Sequence, residues 1–143
     1  IIYNSTKEHM DFFEKSIESI YITPDDVMYF VEENDHNYKS MPTYELKYLD
    51  LSNRLTNYLS TLEESSLSDH YRDLKGWNGM DINGNVIFIK TMHSILAIDK
   101  TNGKIVDKFT EQLMTDLISK DKNEVVFYSD KKITFSMKKL KFI

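Results

Sequence analysis

Apolar residues recur at near-helical spacing along the first half of the chain. Met10, Phe12, Phe13, Ile17 and Ile20 follow a Ser5-x-x-Glu8 capping box, a pattern that predicts a first helix from about Thr6 to Ile20. Thr23 has the chemistry of an N-cap and Pro24 suits a first helical position. Asp25 and Asp26 favour the positive end of the helix dipole. Val27, Met28, Phe30 and Val31 then share one side, so a second helix is expected from Pro24 to about Glu33. Tyr48, Leu51, Leu55, Tyr58, Leu59 and Leu62 mark the face of a longer third helix, about Thr43 to Glu63. A polar break follows, with room for a short helix from Asp69 to Leu74.

At Gly76 the period changes. "NVIFIK", "SILAID", "KIVDKF", "EVVFYS" and "KITFSM" are short, rich in β-branched and aromatic residues, and separated by turn signals. The clearest signal is Asn102-Gly103, which suits a hairpin needing positive φ. Thr110 and the run "TEQLMTDLIS" predict one helix inserted among these strands. The expected fold class is therefore α+β, with N-terminal helices packed on a C-terminal, mostly antiparallel β-sheet that carries one inserted helix. A chain of 143 residues with 41% hydrophobic side chains suits one domain, 1–143, with a helical half at 1–75 and a sheet half at 76–143.

The net charge of −5 is unevenly placed. Residues 1–75 carry 15 acids and 7 bases, and residues 76–143 carry 8 acids and 11 bases. The later lysines are scattered along strands without interleaved aromatic RNA-binding motifs, so nucleic acid is not an expected ligand. An acidic first half suits a basic protein partner, because complementary potential raises association rate and selects among partners. The absence of cysteine removes disulfides, thiolate zinc sites and thiol nucleophiles. No apolar run reaches the roughly 18 residues of a membrane span, and "IIYNSTKEHM" lacks a signal-peptide pattern. The expectation is a cytoplasmic protein, unless a leader has been removed, with no membrane partner.

Reaction signatures are missing. His9, His36, His70 and His93 fall in four different expected elements, none with the i, i+4 spacing of H-E-x-x-H. With only Gly76, Gly79, Gly84 and Gly103 available, no phosphate-cradling glycine loop and no G-x-S-x-G elbow occurs. No catalytic residue, metal ligand or cofactor is therefore expected, and the chain reads as a binding module rather than an enzyme. The alternative is a metal-assisted hydrolase in which folding joins Asp35-His36 to Asp69-His70.

Phe13, Glu14 and Ile17, then Pro24, Asp26, Phe30 and Val31, then Asn34 and Asp35, follow an order that resembles the entry to the SUKH superfamily. Its fungal members are Smi/Knr cell-wall regulators and its bacterial members look like immunity proteins. Thr23, Val27 and His36 stand where that family usually has leucine, an aromatic residue and glycine. The resemblance implies a cytoplasmic antidote that holds a cognate toxin, commonly a nuclease, by its basic surface, or else a regulatory scaffold of the same fold. The carboxylates expected to meet that partner are Glu32, Glu33 and Asp35 after the second helix, and Glu63, Glu64, Asp69 and Asp73 after the third, with Trp77 as anchor. A second segment, Gly84 to Phe109, is similar to one blade of a quinoprotein-type β-propeller, whose repeats close with A-x-D-x-x-T-G-K. One blade cannot bury its own faces and no second copy is evident, so a propeller is not expected and the likeness is read as a shared hairpin.

Overall fold

The computed structural model describes residues 17–33, 43–63, 79–90, 94–111 and 117–143, and within them it is built of β-strands. β1 (Ile17–Ile22), β2 (Val27–Glu33), β3 (Thr43–Asp50) and β4 (Leu55–Glu63) form the first sheet. The second contains β5 (Met80–Asn83), β6 (Val86–Lys90), β7 (Ser94–Asp99) and β8 (Ile105–Thr110). The third contains β9 (Leu117–Lys120), β10 (Glu124–Tyr128), β11 (Lys132–Ser136) and β12 (Lys141–Phe142). Each sheet is an antiparallel meander in chain order.

The α+β expectation is thus overturned: the described residues contain no helix. The second predicted helix is a turn followed by β2. Asp26 N donates to the Thr23 carbonyl at 3.1 Å, and Thr23 N donates to the Val27 carbonyl at 2.9 Å. Thr, Pro and Asp, which read as a helix cap, serve equally well in a β-turn with proline at its second position. The third predicted helix is the hairpin β3–β4, broken at Asp50 to Arg54. Ile17–Ile20, placed in the first helix, lie in β1, and Leu117 and Ile118, placed in the inserted helix, begin β9. The short helix expected at 69–74 lies outside the described residues. The five expected strands of the second half are present as β6, β7, β8, β10 and β11.

Strands β5, β6 and β7 of the second sheet are buried on both faces. Ile87, Ile89, Leu96 and Ile98 face the first sheet, where they meet Tyr29, Val31, Leu46 and Leu62. Val86, Phe88, Ile95 and Ala97 face the third sheet and its Val125, Phe127, Ile133 and Phe135. Edge-to-face rings lock this second layer, with Phe88 centred 5.5 Å from Phe127 and 5.0 Å from Phe135. Serial four-stranded meanders stacked face to face are the arrangement of consecutive β-propeller blades.

A counterpart of the turn that closes the β7–β8 hairpin, not evident in the sequence, is present in the first sheet. Ser52 N and Oγ donate to Asp50 Oδ1 at 2.9 and 2.6 Å, as Thr101 N and Oγ1 donate to Asp99 Oδ1 at 2.8 and 2.6 Å. Asn53 Oδ1 accepts from Leu55 N and Asn102 Oδ1 from Lys104 N, both at 2.9 Å. In the third sheet a serine stands at the first position and its Oγ accepts from the N–H three residues on, Lys139, at 3.1 Å. In all three turns the residue four after the Asp or Ser has positive φ: Arg54 at 59°, Gly103 at 74° and Leu140 at 52°.

Gly103 is also where the second sheet touches the last strand of the first. A Cβ there would lie 2.5 Å from Ser60 Cβ and 2.7 Å from the Leu59 carbonyl oxygen. At Gly84 (φ +56°) a Cβ would meet only Met137 Cε, at 3.5 Å. Gly103→Ala is therefore expected to cost at least about 2 kcal/mol and Gly84→Ala about 1 kcal/mol. Urea denaturation midpoints check both, and equal losses would contradict the close approach at Gly103.

Candidate functional site

In an antiparallel meander the first and third turns fall on the same end. Within each sheet this pairs Thr23–Asp26 with Asp50–Arg54, Asn83–Asn85 with Asp99–Lys104, and Asp121–Asn123 with Ser136–Leu140, and the Asn83–Asp121 and Lys120–Tyr21 hydrogen bonds bring these turn ends to the same side of the stacked sheets. On that end, between the second and third sheets, lies a cleft of about 650 Å³. Val86, Val106, Met137 and Leu140 supply its apolar surface, and Asn85, Asp99, Thr101, Lys122, Asn123, Ser136 and Lys138 its polar surface.

Ties between the two sheets bracket the cleft. Asn83 Nδ2 donates to the Asp121 carbonyl at 2.7 Å, and Phe142 N donates to Asp107 Oδ2 at 2.8 Å. A third tie joins all three sheets through their first strands. Lys120 Nζ on β9 donates to Asp81 Oδ1 (2.5 Å) and the Ile82 carbonyl (2.9 Å) on β5, and to Tyr21 Oη (3.1 Å) on β1. Burial disfavours the Lys120 charge, but the bonds to Asp81 and Tyr21 outweigh it and hold the ammonium above its ordinary range.

The turns also fix charge. The Thr101 hydroxyl and N–H hold Asp99 below the usual carboxylate range, and Ser52 does the same for Asp50. Thr23 Oγ1 donates to Asp25 and lowers it likewise. Leu51 N donates to the Asp26 carbonyl at 3.0 Å, so the two turns of the first sheet adjoin and present Asp25, Asp26 and Asp50 together.

The carboxylates expected at the partner surface fare differently. Glu32 is buried on the outer face of the first sheet, beside Met28, Phe30 and Leu49, and its Oε1 accepts from Lys47 Nζ at 2.9 Å. Lys47 also pairs with Glu45 at 3.1 Å. Glu32 is thus neutralised within the sheet, not offered to solvent. Glu33 and Glu63 end β2 and β4, flanking β3 at the end opposite the turns, since Glu33 pairs with Tyr44 and Thr43 with Glu63. Asp35, Glu64, Asp69, Asp73 and Trp77 lie outside the described residues, as do all four histidines. Among the described residues no group of three or more His, Cys, Asp or Glu is placed to hold a metal ion, and no helix is long and apolar enough to cross a membrane.

Sequence reasoning missed the cleft, whose lining comes from turns far apart in the chain. The available signal was the recurrence of Asp-x-Ser/Thr-Asn at residues 50–53 and 99–102. It also missed Lys90. This lysine ends β6 and is fully buried. Burial pulls its ammonium down to about 8. Comparison with protein-family models and with curated proteins finds no match to this chain.

Lys90 gives a prediction with a definite sign. Between about pH 8 and the ordinary lysine value of 10.5, the folded side chain is neutral while the unfolded one still binds a proton. Stability rises with pH in that window, by at most about 1.4 kcal/mol per pH unit. Lys90→Met is expected to flatten that rise in denaturation curves measured across the window, and an unchanged slope would contradict it.

Proposed function

We propose that the chain is a non-enzymatic recognition module that binds a basic protein partner at the turn end of its first sheet. The supporting observation is the segregation of charge between terminal sheets. The described residues of the first sheet and its turns, 17–33 and 43–63, hold eight acids against two bases, whereas residues 117–143 hold seven lysines against three acids. Within the first group Glu32 and Glu45 are already paired with Lys47, and the turn end offers the exposed Asp25 and Asp26 and the half-buried, hydrogen-bonded Asp50 as charges for recognition. Carboxylates pre-set in turns lose little freedom on binding, and a one-sign surface steers a partner of opposite sign.

The partner's required chemistry is a basic patch. A protein that attacks nucleic acid carries one by necessity, which makes neutralisation of a nuclease toxin, as by an immunity protein, the specific form of this proposal. The stacked sheets supply the frame, and the turns supply the exposed polar surface.

Calorimetric titration against the product of the neighbouring gene, at low and moderate salt, tests it. A one-to-one complex weakened by salt is expected. Asp25→Asn with Asp50→Asn keeps the turn acceptors while removing two charges, and is expected to weaken binding ten-fold or more. Binding that ignores both salt and this pair of substitutions would refute the acidic turn end as the contact surface.

A further inference from the structure

We propose that the cleft between the second and third sheets binds a phosphate monoester carried on an apolar body, independently of the protein-binding role above. Its volume, about 650 Å³, lies within the roughly 300–1,000 Å³ of small-molecule sites. The Asn83–Asp121 and Asp107–Phe142 hydrogen bonds hold its two walls together, so the space is a feature of the packed sheets and not a gap between loose loops.

The charge balance of the lining favours an anion. Lys122 and Lys138 stand on the third-sheet side, and among the described residues neither ammonium makes a hydrogen bond or close ion pair, Lys122 acting only at longer range on Asp121. Lys47, Lys120 and Lys131, by contrast, are each held by a carboxylate. The one lining carboxylate, Asp99, already receives two hydrogen bonds from Thr101. Ser136 Oγ accepts from Lys139 N, which leaves its hydroxyl proton to donate. The side-chain amides of Asn85 and Asn123 add further donors.

Phosphate is the better match among anions. A monoester carries about −1.5 to −2 charges at neutral pH and three acceptor oxygens, which two lysines and a hydroxyl can meet. Lysine recognises phosphate as a point charge, whereas a carboxylate is best met by the planar fork of arginine. The arginine of the described residues, Arg54, is on the first sheet. Val86, Val106, Met137 and Leu140 would cover the apolar body. Leu140 is half exposed at the cleft with φ +52°, a strained conformation for a bulky side chain.

The test is titration with phenyl phosphate, benzoate and phenol, followed by the methyl NMR signal of Met137 and by calorimetry. Saturable binding of phenyl phosphate that shifts Met137 is expected. Lys122→Ala with Lys138→Ala should weaken it ten-fold or more, while Lys132→Ala, outside the cleft, should not. The substituted lysines are exposed, and thermal unfolding confirms that each variant is folded. The proposal is overturned by any of four results: no saturable binding of phenyl phosphate at millimolar concentration, phenol binding as tightly, benzoate binding as tightly, or binding that survives the double substitution.

Discussion

Burial of strands β5, β6 and β7 of the second sheet on both faces is the constraint from which the rest of the structure follows. A strand covered on one side alternates polar and apolar residues, but β6 is buried along its whole length and β7 is buried from Ser94 to Ile98. Such a sheet cannot stand alone in water, because either face left open would expose a layer of isoleucine, valine and phenylalanine. The first sheet covers one face through Tyr29, Val31, Leu46 and Leu62. The third covers the other through a ring cluster centred on Phe88. Deleting any one of those phenylalanines would leave a cavity costing about 3–5 kcal/mol.

Polar ties set the alignment of sheets that apolar contact alone would leave free to slide. Lys120 joins three first strands with one ammonium, and its partner Asp81 is nearly buried, so the geometry is intolerant of displacement. Gly103 sets a second point of alignment by close approach to Ser60. Because the sheets are held in this way, the turns on one end keep fixed relative positions. That end is where exposed aspartates gather on the first sheet and where the cleft opens between the second and third. The frame and the candidate sites are thus parts of one arrangement: strand interiors serve packing, and turn residues remain for recognition.

The recurring turn shows how much the chain repeats itself and why the repeat is hard to see. Asp-Leu-Ser-Asn-Arg and Asp-Lys-Thr-Asn-Gly share side-chain hydrogen bonds and a left-handed fifth residue. Ser-Met-Lys-Lys-Leu shares only the first acceptor and the positive φ. Between the first two turns the hydrogen bonds are kept although only Asp and Asn are identical, because serine and threonine satisfy the same pattern. The strands diverge further, since a pleated surface asks only for apolar residues of suitable volume.

The sequence by itself determined the strands of the second half, the Asn102-Gly103 hairpin and the opposite charge of the two ends, all of which depend on residue type or short-range pattern. It misled in the first half. Val27, Met28, Phe30 and Val31 satisfy a helical stripe and equally a strand, and only the pairing of β2 between β1 and β3 in the folded chain decides between them. Thr23 and Pro24 likewise begin a helix or a turn with the same chemistry. Tertiary structure alone decided that Glu32 would be neutralised by Lys47 fifteen residues later, removing it from the expected partner surface. It alone placed Lys122 and Lys138 beside Asn85 and Asp99. A cleft assembled from four turns has no local signature, because its lining is adjacent only after the sheets stack.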